Sequence, residues 1–199
     1  MLWDVYDRAF REARTGLVLH AALASRRGRG VLMPGRPDAG KTTLVAGLVR
    51  AGLSYLTDEA AVFDPATRRL GGVPRPLGMT RSTIALFPGL EDRLPPELRR
   101  TDRRTRHVPP SKIRARSVAR VCDLRYVVVP DYRRGATTRL VPLSRAETLV
   151  LLSRSAFAPQ RFVSEGLEPM GVALARADCY RLRTGDLAGA VDAVVSLVG

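Results

Sequence analysis

Cysteine, lysine, histidine and aromatic residues are all scarce in this 199-residue chain. Each scarcity closes off a class of protein. The two cysteines, Cys122 and Cys179, lie far apart and form no C-x-x-C, so neither a disulfide framework nor a zinc pattern is encoded. Both read as small buried hydrophobes, which suits a reducing, cytoplasmic setting. No apolar stretch approaches the roughly eighteen residues of a membrane span, and Met1-Leu2-Trp3-Asp4 lacks the basic start and apolar core of a secretory signal. Aromatics make up 6% of the chain. The basic residues therefore lack the interleaved rings, recognition helix or zinc pattern of a nucleic-acid reader, although the net charge is +14.

Lysine is the most telling scarcity. Among 33 lysines and arginines, only Lys41 and Lys112 are lysine. Such an arginine bias, alongside abundant Ala, Gly, Val and Leu, has the look of a GC-rich coding background, so part of the charge is compositional. An excess this large still attracts anions at low salt. Against the same bias a lysine at position 41 is informative, because a guanidinium does not replace a compact ammonium where phosphate is gripped.

What is present is an ordinary globular composition, 45% hydrophobic and 26% charged, long enough for one domain with a core. Gly35 to Thr42 (Gly35, Arg36, Pro37, Asp38, Ala39, Gly40, Lys41, Thr42) spells G-x-x-x-x-G-K-T, the phosphate loop called Walker A. The apolar run Val31–Met33 before it predicts a buried strand. Thr42–Arg50 after it predicts a helix, with Leu44 and Leu48, and Val45 and Val49, at spacing four. In that context the loop's N–H groups and the helix start form a phosphate cradle. Lys41 reaches the β/γ-phosphates, the Thr42 hydroxyl suits Mg²⁺, and Thr43 completes the nucleotide-binding stretch.

Along the chain, residues 2–14 predict an amphipathic helix ended by Gly16; residues 17–24 fit a helix by their alanine content and a strand by the Gly28/Gly30 turn into the next, and the strand is favoured. Residues 54–57 predict a strand that ends in Asp58-Glu59 and may be continued by 60–63; residues 70–73 then return antiparallel after a turn at 64–67. A short helix is expected near 82–86. Residues 88–112, with five prolines and the arginines Arg99, Arg100, Arg103, Arg104 and Arg106, read as a surface excursion. Residues 119–129 predict a buried strand, with 138–141 pairing back on it. Ser144-Arg145-Ala146-Glu147 is a capping box opening a helix to about Ser155. A helix over 162–176 is expected to break near Pro169-Met170-Gly171. A strand at 179–183 precedes a last helix capped by Asp186, with Leu187, Val191, Val194 and Val198 inward.

Two carboxylates, Asp58 and Glu59, close the strand after the phosphate-loop helix, where strand ends of an α/β sheet meet a ligand crevice. One suits Mg²⁺ and the other a hydroxyl proton. His20 stands fifteen residues before Gly35 among Leu19, Ala21 and Ala22. The set His20, Gly35-x-x-x-x-Gly40-Lys41-Thr42 and Asp58-Glu59 resembles the catalytic domain of the HPr kinase/phosphorylase family. It is similar above all to its short members, which include kinases of lasso-peptide precursors. The resemblance covers about residues 17–64.

The resemblance implies a single P-loop domain over 1–199, related to phosphoenolpyruvate carboxykinase, with a mixed α/β sheet and flanking helices. It implies Asp58 as catalytic base, Glu59 as metal ligand beside Thr42, His20 as support for the base or the acceptor, and Lys41 on the phosphates. ATP and Mg²⁺ are the expected cofactors, and a serine-bearing protein or peptide, such as a ribosomal peptide precursor, the expected acceptor. Two departures from the family pattern are plain: Glu59 stands where aspartate is usual, and Thr42 where serine is. The later substrate loop does not map onto single residues, though Arg75 and Arg81 are candidates for it. A small-molecule hydroxyl kinase and a non-catalytic nucleotide-binding regulator are the alternatives; the presence of both Asp58 and His20 argues against the regulator. No membrane partner is expected, and a homo-oligomer is allowed without being required.

Overall fold

The computed structural model describes residues 16–73, 75–99 and 104–199. The helix expected over 2–14, and Arg100 and Arg103, lie outside the described residues. In chain order the elements are strands β1 (Leu17–Arg26) and β2 (Arg29–Pro34), helix α1 (Lys41–Arg50), and strands β3 (Ser54–Thr57), β4 (Ala60–Phe63), β5 (Arg69–Gly72) and β6 (Leu77–Thr80). Helices α2 (Arg81–Ala85) and α3 (Pro96–Arg99), strand β7 (Thr105–Val108) and helix α4 (Pro110–Ile113) follow. The chain ends with β8 (Val121–Tyr132), β9 (Arg139–Pro142), α5 (Arg145–Ser155), α6 (Pro159–Arg161), α7 (Leu167–Leu174), β10 (Asp178–Thr184) and α8 (Leu187–Val198).

The result is the expected mixed sheet with helices on both faces. β1 and β2 form a hairpin, and β2 lies parallel to β8, which lies parallel to β10. β4 and β5 return antiparallel and β5 joins the start of β8, so β2, β1, β4, β5 and β8 close into a ring. Gly72 shows how tight that closure is. A Cβ there would stand 2.5 Å from the Leu56 carbonyl oxygen, a backbone atom that cannot swing away.

Two apolar layers hold the sheet. On one face Leu44, Val45 and Leu48 of α1 and Val194 and Val198 of α8 pack on Val31, Met33 and Val128. On the other, Leu152 of α5 and Met170 and Leu174 of α7 pack on Leu32, Val127 and Val129. Strand residues alternate between faces, so consecutive β2 residues feed opposite layers. Among the described residues no helix is long and apolar enough to cross a membrane.

Three local expectations change. β9 pairs antiparallel with β10 rather than with β8, because β10 occupies the edge of β8 from Tyr126 to Tyr132. Pro169 does not break α7: it is the third residue of that helix, where its missing N–H is one of the groups left unpaired in any first turn. One π-type turn, Phe162–Gly166, precedes it instead. The 88–112 stretch is surface only in part, since Leu90, Leu94 and Val108 are buried against the α1 layer and β7 pairs with β6.

The capping box of α5 is present as expected. Ser144 Oγ accepts from the Glu147 N–H at 3.2 Å, and Glu147 Oε2 accepts from the Ser144 N–H at 2.9 Å. Ser144→Ala is expected to lower stability by about 1 kcal/mol, read as an earlier midpoint in urea denaturation. An unchanged midpoint would mean that the cap contributes nothing to this fold.

Candidate functional site: a phosphate loop facing two carboxylates

The phosphate loop joins the end of β2 to α1. Gly40 holds a left-handed conformation (φ 85°) at the helix N-cap and carries no side chain, so no side-chain acceptor occupies the first-turn N–H groups of α1. These donors and the positive end of the helix dipole are free for phosphate oxygens. Asp38 is also left-handed (φ 62°), a conformation that aspartate tolerates better than most residues.

Lys41 is buried, and its Nζ finds three acceptors. It donates to the carbonyls of Gly35 and Arg36, each at 2.8 Å, and meets His20 Nε2 at 2.9 Å. An ammonium has no lone pair, so Nε2 accepts and the imidazole proton resides on Nδ1. That atom lies 2.9 Å from Glu59 Oε1. Burial lowers the Lys41 pKa from its usual value, against the opposing pull of Glu59, Asp58 and Asp38.

Asp58 and Glu59 directly follow the end of β3, as the sequence suggested, and β4 continues beyond them. β3 and β4 run consecutively along β1, β3 beside Leu23–Ser25 and β4 beside Leu17–His20, and the two carboxylates occupy the irregular step between them. Such steps re-aim side chains. Asp58 turns towards α1: its Oδ2 accepts from Thr42 Oγ1 at 3.2 Å and from the Gly78 N–H at 3.4 Å. Tyr55 OH, 3.1 Å from Asp58 Oδ1, also lies 2.9 Å from the Arg75 carbonyl oxygen. Glu59 turns to His20, and Arg75 spans both acids, with Nη2 3.1 Å from Glu59 Oε2 and Nε 3.7 Å from Asp58 Oδ1.

The two acids therefore differ in proton affinity. Asp58 is 2% exposed, and burial raises its pKa in spite of Arg75 and the Tyr55 hydrogen bond. Burial acts on Glu59 in the same sense, but the His20 hydrogen bond, with the charges of Arg75 and Lys41, outweighs it and holds the pKa low. Adjacent carboxylates with proton affinities pushed apart suit different tasks in one site.

The structure thus gathers Lys41, Thr42, His20, Asp58, Glu59 and Arg75. Arg81 is not part of the cluster; it opens α2 with its side chain exposed. Of the arginines of 99–106, two described ones are engaged within the fold. Arg106 is buried and paired with Glu91 at 2.8 Å, and Arg99 Nε donates to the Leu94 carbonyl. Tyr55 and the Gly78 N–H escaped the sequence reading. A tyrosine three residues before an aspartate carries no motif, and its alternation with Leu56 looks like ordinary strand packing.

Two cavities flank the loop. One, of about 380 Å³, lies beside Gly40 and Thr43 and has Leu44, Leu182 and Leu187 in its walls. The other, of about 560 Å³, lies beside His20 and Gly35.

No family model and no curated protein matches the sequence. Among solved structures, the chain is similar to the Hpr(Ser) kinase/phosphatase from Coxiella burnetii, at 11% sequence identity and a TM-score of 0.42, over 90% of this chain and 95% of that one.

Proposed function

We propose that this chain is an ATP- and Mg²⁺-dependent kinase that phosphorylates a serine hydroxyl on a protein or peptide. The observation that supports this reading best is the placement of a buried carboxylate, Asp58, whose pKa burial raises, 3.2 Å from the Thr42 hydroxyl of the Walker A stretch. Nucleotide binding alone requires no such group.

The residues present fit ATP and Mg²⁺. The uncapped N-terminus of α1 receives phosphate oxygens, and the apolar cavity beside Thr43 suits the nucleoside end. Lys41 exchanges the Gly35 and Arg36 carbonyls for the β/γ-phosphates. Thr42 would hold the metal ion through its hydroxyl. ATP supplies the transferable phosphoryl group: a bond forms from the serine Oγ to the γ-phosphorus, the bond from that phosphorus to the ADP oxygen breaks, and the hydroxyl proton passes to Asp58.

Asp58 fits the base role because burial has already raised its proton affinity towards working pH. His20 and Glu59 form a rigid pair beside it, held by Arg75. With both oxygens so engaged, Glu59 acts on the metal through its charge and through water. This differs from the direct ligation that the family resemblance implies.

Calorimetric titration with Mg-ATP, followed by mass spectrometry of serine peptides incubated with the protein, tests the reading. Binding without any transfer to protein, peptide or small hydroxyl compound would leave a nucleotide-binding regulator. Glu59→Gln is expected to raise the Mg²⁺ concentration for half-maximal turnover by roughly tenfold, the scale of a lost outer-shell partner. An unchanged Mg²⁺ requirement with a fall in melting temperature would make Glu59 a fold residue.

A further inference from the structure

The cavity beside His20 has a different character from the one beside Thr43. Its floor is His20 and Phe157, its side walls include Val129 and Leu151, and its rim carries Arg36 and Arg154. Among the described residues no carboxylate lines it. Arg36 and Arg154 are both exposed, and neither forms an ion pair with another described residue. The floor is fixed in shape. The Phe157 N–H donates to the Val18 carbonyl at 3.0 Å, and its ring meets the His20 ring edge-on with centroids 5.9 Å apart.

Position decides which substrate this cavity takes. In a phosphate loop the residue after the Lys-Thr pair faces the nucleoside side, and the lysine faces the β/γ side. Thr43 lines the smaller cavity, whereas His20, in contact with Lys41 Nζ, lines the larger. The larger cavity therefore opens where the transferable phosphate is presented.

We propose that this cavity is the acceptor site, and that it takes a peptide with an apolar residue against Leu151 and Phe157 and an acidic side chain held by Arg154. The proposal rests on the kinase reading above. A volume of about 560 Å³ falls within the usual range for ligand pockets and admits a short peptide segment. An apolar wall beneath two guanidinium groups, with no acid among the lining residues, is complementary to an acidic peptide and repels a basic one. Arg154 also stands in the last turn of α5, where the helix dipole favours a cation. That local role predicts a stability effect of Arg154 substitutions and no change in peptide choice.

The test is an array of serine peptides varied at the flanking positions, labelled with Mg-[γ-³²P]ATP by the wild type, Arg154→Glu and Leu151→Trp. The wild type should label peptides with a flanking Asp or Glu about tenfold better than their Lys counterparts, the worth of one hydrogen bond to a charged group. Arg154→Glu should abolish or invert that ratio with Mg-ATP affinity unchanged. Leu151→Trp should reduce labelling of every peptide while Mg-ATP affinity again holds. An acidic preference that survives Arg154→Glu overturns the proposal. So does wild-type labelling without charge preference, or no labelling by a protein that binds Mg-ATP. If the wild type fails to bind Mg-ATP, the kinase reading itself falls.

Discussion

Asp58→Asn is expected to cut turnover by a factor of about 10²–10⁴, the usual worth of a positioned base, and to leave the protein at least as heat-stable as the wild type. The two halves have one cause. Burial raises the Asp58 pKa above its unfolded value, so the folded state holds this proton more tightly than the unfolded chain does. The associated stability is present in full below the ordinary aspartate value and is lost as pH rises through the raised one. At neutral pH the ionised carboxylate therefore strains the fold.

Asparagine removes that charge and keeps the hydrogen bonds. Its oxygen can take the place of Oδ2, accepting from Thr42 and Gly78, while its amide faces Tyr55. The phenol oxygen can accept there, since its own proton is available to the Arg75 carbonyl. Thermal melts at pH 7 and steady-state kinetics check the two halves separately. Equal losses of Mg-ATP affinity and turnover would move Asp58 from the base role to the metal, and a lower melting temperature would contradict the burial argument.

Lys41→Met should be the other large effect, with kcat/KM falling by at least about 10², the scale of removing one fixed charge-stabilising donor. Stability should again not suffer at neutral pH. Lys41 is 6% exposed, and burial lowers its pKa below the usual lysine value. Between that lowered value and the unfolded value, the unfolded chain binds the extra proton, so stability rises with pH across the window. Methionine fills a similar volume without the charge. The Gly35 and Arg36 carbonyls that it abandons lie on a partly exposed loop where water can replace the ammonium. Melting temperatures of the two proteins measured from pH 7 to 10 should therefore converge as pH rises. A melting temperature for Lys41→Met far below that of the wild type at every pH would show instead that the lysine's three hydrogen bonds hold the loop together.

Much of this molecule was legible along the chain because much of it is local. The Walker A pattern is local: Gly35, Gly40, Lys41 and Thr42 spell it without any distant partner, and the strand and helix expected around it are β2 and α1. The α5 capping box and the Asp186 cap are contacts between residues three apart, and both occur where the spacing put them. The apolar run 31–33 and the stretch 54–57 likewise predicted β2 and β3, while 17–24, which fits helix or strand alone, was decided for β1 by the Gly28/Gly30 turn after it. Pro169 misled because the start of α7 depends on the π-type turn before it, which packs Phe162 into the core.

Partners distant in sequence were not legible. Arg69 meets Asp123 across the closing seam of the ring, and β9 finds β10 because the edge of β8 is already taken. The arginines near position 100 form one patch on paper, yet Arg106 is drawn under Glu91 by β7 and leaves the surface. By itself the sequence determined that a phosphate loop stands between a buried strand and a helix, with a histidine before it and two acids after. Only the tertiary structure decided that Asp58 faces Thr42 while Glu59 faces His20, with Arg75 between the two acids. Neighbouring residues on an extended chain point to opposite faces, and the irregular step between β3 and β4, set by their shared pairing with β1, selects the face for each.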